Sequence, residues 1–178
     1  MDEHLLIEAA KKDLTQFSRL YDLYFERIFR FVYRRTDDEM VADDLTSQTF
    51  LQAMTHLAAY EYRRVSFAAW LYKIAMNEIH QYYRKTKATP LFSLDQHLLE
   101  TLMEEGGSIV REENLQELTK FLEQLPSHEI TMLQLRFFES KSFKEIAYIL
   151  DMKESAAKMC TYRAIQKLKK HFAQLTGN

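Results

Sequence analysis

Between residues 14 and 35 the apolar side chains return every three or four positions: Leu14, Phe17, Leu20, Tyr21, Tyr24, Ile28, Phe31 and Val32. At 100° per residue they form one stripe, so the segment reads as a long amphipathic helix rather than an alternating strand. The same period runs through Val41, Leu45, Phe50, Leu51 and Met54 at 39–58. It recurs through Ala68, Leu71, Ala75, Ile79 and Tyr82 at 67–86. Three glycines and two prolines in 178 residues are too few for the turns of an all-β protein. The expected fold class is all-α. A hydrophobic content of 47% suffices for a core.

Local signals divide the chain. A short helix is expected near 3–12. Asp37 or Asp38 can cap the helix at 39–58, a loop follows at 59–65, and Ser66 can cap the helix at 67–86. Four helices with short connections make a first small helical domain, residues 1–87. From 88 to 108 no period is sustained. This acidic stretch holds Pro90 and Gly106-Gly107 and reads as a linker with one helical turn near 94–102. A second small helical domain, 109–178, starts with a helix at about 109–124. Pro126 stops that helix, and Ser127 is expected as N-cap of the next, with Ile130, Leu133, Leu135 and Phe138 inward. Helices at about 142–150 and 153–175 complete it.

The net charge of −2 conceals strong segregation. Residues 63–87 carry six Lys/Arg and one acid, and 153–170 carry six Lys/Arg and one acid. Residues 93–117 carry seven acids and one Arg, and 37–44 carry five acids and no base. The first basic stretch sets Trp70, Tyr72, Tyr82 and Tyr83 among Lys73, Arg84, Lys85 and Lys87. It follows Tyr60, Tyr62, Arg63 and Arg64. Cations neutralise phosphates and flat rings stack on unpaired bases, so this is a candidate surface for opened nucleic acid. Lys73, Asn77, His80 and Arg84 fall opposite the apolar stripe, with Trp70 at its edge. A purely structural helix with solvated cations has the same pattern, so the case rests on the rest of the chain.

The second basic stretch supplies that support. Residues 142–150 read as a short helix with Phe143, Ile146, Ala147 and Leu150 inward. Asp151, Met152 and Lys153 form a tight break before a long cationic helix. A short helix, a tight turn and a basic second helix make a helix-turn-helix pattern. Glu154, Ser155, Ala157, Lys158, Thr161 and Tyr162 lie near the start of the second helix, where side chains reach base edges in the major groove. Lys153, Arg163 and Lys167 add positive charge beside them.

Other function classes find little support. The six histidines are scattered without metal-ligand spacing, and no Gly-rich phosphate loop or Gly-x-Ser-x-Gly elbow occurs. Adjacent pairs such as Asp43-Asp44 diverge on a helix instead of converging as acid and base. No enzyme activity, metal or cofactor is expected. Glu145 reads as exposed or capping. The one cysteine, Cys160, excludes an intramolecular disulfide and reads as a partly packed thiol. No apolar run reaches the roughly 18–20 residues of a membrane span, and residues 1–13 do not read as a signal peptide. A cytoplasmic protein without membrane insertion is expected.

Two blocks of residues resemble a bacterial RNA polymerase sigma factor of the extracytoplasmic-function group (sigma-70 family, group IV). The first runs through Phe17, Leu20, Tyr21 and Tyr24, then Ala42-Asp43-Asp44-Leu45, Thr49-Phe50-Leu51 and Ala53, then residues 69–75, Asn77 and Arg84. It is similar to sigma region 2. The second runs through Leu122, Leu125-Pro126, residues 133 and 135–138, Ser142-Phe143 and Glu145-Ile146-Ala147. It is similar to region 4. The two blocks cover roughly 14–87 and 114–171.

The resemblance implies an alternative sigma factor that binds core RNA polymerase through its clamp helices and flap and melts promoter DNA. Asp43, Asp44, Gln48 and Phe50 would dock on the clamp helices. Tyr60, Tyr62, Arg63, Arg64, Trp70, Lys73, Asn77 and Arg84 would open the −10 element and hold its unpaired bases. Lys153, Ser155, Lys158, Thr161, Tyr162, Arg163 and Lys167 would bind the −35 duplex. The acidic linker would suit a basic channel of the polymerase, and an anti-sigma factor is an expected partner. The chain departs from the family pattern at Ser47-Gln48, where Gln-Glu is usual. It departs again at residues 153–157, where Pro-x-Gly-Thr-Val is usual, and at Cys160, where Arg is common. These departures leave the −35 sequence open. They also admit a sigma-like mimic that sequesters an anti-sigma factor without driving transcription. A one-component helix-turn-helix repressor explains only the second domain.

Overall fold

The computed structural model describes residues 3–61, 65–87, 120–121 and 124–175. Among these residues every regular element is helical. The chain divides into two compact units, Met1–Ser93 and Leu94–Asn178.

The first unit contains α1 (Glu3–Lys12), a 3-10 turn (Leu14–Gln16), α2 (Phe17–Thr36), α3 (Glu39–His56), a second 3-10 turn (Leu57–Ala59) and α4 (Phe67–Thr86). The expected helix from residue 14 is interrupted at its start. The Asp13 carboxylate accepts from the Thr15 amide at 3.0 Å and from its hydroxyl at 2.7 Å, which locks a tighter first turn. Leu14 is therefore exposed, and the apolar stripe begins at Phe17. α2 ends at Asp37, in the left-handed conformation with φ 50°, whose N–H donates to the Tyr33 carbonyl. Asp38, not Asp37, caps α3: its carboxylate accepts from the Val41 amide at 3.0 Å.

Helices α2, α3 and α4 pack on one another, and α1 lies against α2. Leu20, Ile28, Phe31, Leu57, Phe67, Leu71 and Tyr72 are fully buried between them. Each such side chain contributes about 1.5–3 kcal/mol through removal of apolar surface from water. Two further expected core positions lie outside. Leu51 is half exposed, and Tyr21 sits at the rim, its ring 5.0 Å from Phe25 and 4.8 Å from Phe50. Contact with two neighbouring helices buries a stripe narrower than the run of apolar letters. Tyr72 moves the other way: its ring is buried edge-on to Phe31, and its hydroxyl accepts from Arg27 Nε at 3.0 Å.

The second unit contains α5 (Ser127–Leu133), a π-helical segment (Gln134–Phe138), α6 (Phe143–Ile149) and α7 (Glu154–Leu175). The expected N-cap Ser127 is instead the first helical residue, and Pro126 is the cap. Pro126 has an extended ψ of 138°, and its carbonyl accepts from the Glu129 amide at 2.8 Å. α5 does not run on as an α-helix to Phe138. Its last turn widens, with the Glu139 amide donating to the Gln134 carbonyl and the Lys141 amide to Leu135. Met132, Leu133, Leu135, Ile146, Ile149, Ala157, Ala164 and Leu168 form the core. Ile149 takes the inward place expected of Leu150, while Phe143 and Leu150 are half-buried.

The expected linker at 88–108 lies outside the described residues. Of the expected helix at 109–124, Lys120 and Phe121 are helical, and the rest lies outside them apart from the turn at Gln124.

Candidate nucleic-acid interface

In the first unit the site grows from the start of α4. Ser66 Oγ accepts from the Ala69 amide at 3.2 Å, as the sequence predicts. A second acceptor comes from 64 residues away: Glu3 of α1 receives the Phe67 amide at 2.7 Å. A carboxylate there meets the positive end of the helix dipole. Burial, and next Glu3, raise the Tyr24 hydroxyl pKa to about 12. Nothing in the sequence signals the tie between Glu3 and Phe67, because neither residue lies in a local pattern with the other.

Behind this anchored turn lies an aromatic cluster. The Trp70 ring is 4.6 Å from Tyr60 and 5.3 Å from Phe67, and Tyr60 meets Phe67 edge-on. Lys11 Nζ stands 5.8 Å from the centre of the Tyr60 ring. Tyr60 is buried, so its expected direct grip on DNA gives way to a supporting role under Trp70. Trp70 and Lys73 are half-buried, while Asn77, His80 and Arg84 are exposed along the same side. A fixed ring, an ammonium, an amide and a guanidinium thus line one face. Partial loss of hydration, and secondarily Arg35, push the His80 pKa below its usual range. Tyr62, Arg63 and Arg64 lie outside the described residues.

On α3, Asp43, Asp44 and Gln48 are exposed and form an acidic-polar face. Phe50, expected to bind with them, is buried at 3% exposure and packs on Phe17, Tyr21 and Phe25. It points into the bundle, with Gln48 on the far side of the helix and Asp44 about a third of a turn away, while Asp43, two turns earlier, lies on nearly the same side at the exposed rim. Phe50 therefore lies beneath the α3 surface and not on it.

The second unit forms a helix-turn-helix built with little help from glycine. Ser142 and Glu145 make a reciprocal capping box at the start of α6, which gives Glu145 its capping role. Arg136 closes the entry: it donates to the Lys141 carbonyl at 3.0 Å and lies 4.9 Å from the Phe143 ring centre. The turn into α7 passes through Asp151 at φ 51°, where the Met152 amide donates to the Ala147 carbonyl at 3.0 Å. That bond is the signature of a Schellman closure, with aspartate where glycine is commoner.

Small side chains bed α7. Ala157, Thr161 and Ala164 are buried at i, i+4 and i+7, and the Thr161 hydroxyl donates to the Ala157 carbonyl at 2.8 Å. Ala157 and Thr161 therefore cannot reach bases, which corrects the expectation for both. Lys153, Ser155, Lys158, Tyr162 and Arg163 are exposed. Lys167 is also exposed, but its ammonium is 2.6 Å from Glu129 Oε1, so it is engaged within the unit. Glu129 is buried, and the pair ties α7 to α5. Cys160 is half-buried.

The comparisons with known proteins match this division. Sigma-70 region 2 matches residues 20–89, and sigma-70 region 4 matches residues 121–170. The ECF RNA polymerase sigma factor SigM of Bacillus subtilis (strain 168) is 30% identical over 152 residues, covering 84% of this chain and 91% of that protein. This chain belongs to the ECF sigma factors. RNA polymerase sigma factor YlaC of the same strain is 32% identical, over 87% of this chain and 91% of its own. ECF RNA polymerase sigma factor BldN of Streptomyces coelicolor is 30% identical over 92% of this chain, which spans 63% of that relative's length. The solved structure of CnrH, in complex with the cytosolic domain of CnrY, shares the fold. Its TM-score is 0.65 at 20% identity, covering 99% of this chain and 98% of that one. Sigma factor RpoE from Bartonella quintana, solved with the anti-sigma factor NepR, gives a TM-score of 0.62 at 19% identity, over 88% of this chain and 96% of that one. In this sigma factor region 2 holds the aromatic face of α4, and region 4 holds the helix-turn-helix.

Proposed function

We propose that this ECF sigma factor directs core RNA polymerase to promoters by a division of labour between its two units. Residues 1–87 engage core polymerase and the opened −10 element, 88–108 connect, and 109–178 bind the −35 duplex and the flap. The observation that carries this reading is that the two exposed cationic faces are built differently. On α4 a held indole stands beside Lys73, Asn77 and Arg84, which suits unpaired bases with accessible faces and Watson–Crick edges. On α7 an exposed helix face with Lys158, Tyr162 and Arg163 suits the major groove of a duplex. Asp43, Asp44 and Gln48 dock on the clamp helices, with Phe50 supporting them. Tyr62, Arg63 and Arg64 are further proposed contacts to −10 DNA.

The protein acts in the cytoplasm as a binding regulator and not as an enzyme. Among the described residues no helix is long and apolar enough to cross a membrane. An anti-sigma factor is proposed as a further partner, in keeping with the complexes in which CnrH and RpoE were solved. The test adds the chain to core polymerase and maps transcript start sites. A stable complex and transcripts from defined starts are expected. If no complex forms under conditions where a control sigma factor binds, the initiation reading fails. Capture of an anti-sigma factor alone would then favour the mimic.

A further inference from the structure

The buried face of α7 (Ala157, Thr161, Ala164 and Leu168) leaves Ser155, Met159 and Tyr162 on the opposite side at i, i+4 and i+7. Met159 is 56% exposed and Tyr162 is 50% exposed. A single exposed apolar side chain on a protein surface is ordinary. Here a methionine stands in the second turn of the second helix of a helix-turn-helix, between Lys158 and Tyr162. The Tyr162 ring is 6.2 Å from Phe143 of α6, so one neighbour of Met159 is positioned by the helix packed beneath.

Met159 has no hydrogen-bond donor and only a weak sulfur acceptor, so it cannot satisfy a polar base edge. The major groove offers it one apolar group, the C5-methyl of thymine. We propose, resting on the −35 reading above, that Met159 is a specificity-determining residue that packs on a thymine methyl in the −35 element. Lys158 and Arg163 hold the phosphates that set its register. Met159 stands exposed opposite the alanine-threonine bed.

The experiment uses the polymerase holoenzyme formed with this chain. The probe is a duplex carrying the −35 element of a promoter mapped by its own transcripts. Each thymine is replaced in turn by uracil, which removes only the methyl. For the unaltered protein, one or two positions should lose about fourfold in affinity, the worth of one buried methyl group. Met159→Ala should lose that sensitivity at the same positions, and Met159→Leu should keep it. A uracil profile that is the same for the unaltered protein and Met159→Ala overturns the proposal, as does a profile with no sensitive position. Absence of any −35 protection by the holoenzyme would instead defeat the underlying reading of α7. Because Met159 is exposed, the alanine variant should melt with the parent, which separates a reading defect from a folding defect.

Discussion

α4 and α7 are both long, cationic and amphipathic, yet they rest on opposite kinds of bed. α4 lies on Phe67, Leu71, Tyr72, Met76 and Ile79, large side chains that fill the space against α2 and α3. α7 lies on Ala157, Thr161 and Ala164, small side chains that let α6 approach closely. The outer faces follow from the beds. Beside α4 the rings spill over the edge, so Trp70 is held between Tyr60 and Phe67 and presents a fixed platform. Along α7 the packing stays narrow, and Ser155, Lys158, Met159 and Arg163 remain exposed. On the proposed reading similar charge serves different DNA, and the bed, more than the count of Lys and Arg, separates the two faces.

Inverting the beds should give the largest effects. Leu71→Ala opens a cavity under α4 and should cost about 2–5 kcal/mol, whereas Ala164→Leu overpacks α7 and should cost about 1–3 kcal/mol. Urea unfolding measures both, and a neutral Ala164→Leu would contradict the close bed. Next, Trp70→Ala should weaken binding of a single-stranded −10 oligonucleotide to holoenzyme by about 1–3 kcal/mol, with −35 duplex binding unchanged. Equal weakening of both ligands would erase the distinction between the helices. Lys158→Ala combined with Arg163→Ala should weaken −35 binding and lower the slope of log affinity against log salt by roughly two. An unchanged slope would remove these residues from the phosphate contacts.

The smallest effect concerns pH. The folded-state pKa of His80 lies below its ordinary value of 6.5 through partial desolvation and then Arg35. The neutral imidazole is thus favoured by folding. Its contribution is fully present above about pH 6.5 and is lost as pH falls from there through the folded pKa. Stability of the unaltered protein should fall with acidification more steeply than that of His80→Gln. Parallel unfolding midpoints from pH 8 to 5 would count against this.

Helices were legible in the sequence because their period is a property of single segments. Ser66 and the Ser142–Glu145 box were legible for the same reason, since capping is local. Side-chain roles depended on what lies behind each helix, which no period reports. Phe50, Tyr60 and Thr161 share the motifs of functional residues but point inward, and Tyr72 sits in the basic stretch yet belongs wholly to the core. Lys167 belongs to the basic run, yet its ammonium pairs with Glu129, 38 positions away, a contact that no spacing reports. The Glu3–Phe67 bond and the π-helical turn after α5 arise from tertiary packing and left no trace in spacing.

On the proposed reading, promoter opening and duplex reading belong to separate faces. The most direct test of that separation is Lys73→Ala with Asn77→Ala in holoenzyme, following permanganate reactivity of −10 thymines and protection of the −35 duplex in the same samples. A loss of opening by tenfold or more is expected, since one charge-assisted and one neutral hydrogen bond are together worth about 2–4 kcal/mol, with −35 protection retained. Equal losses of opening and −35 protection would contradict it.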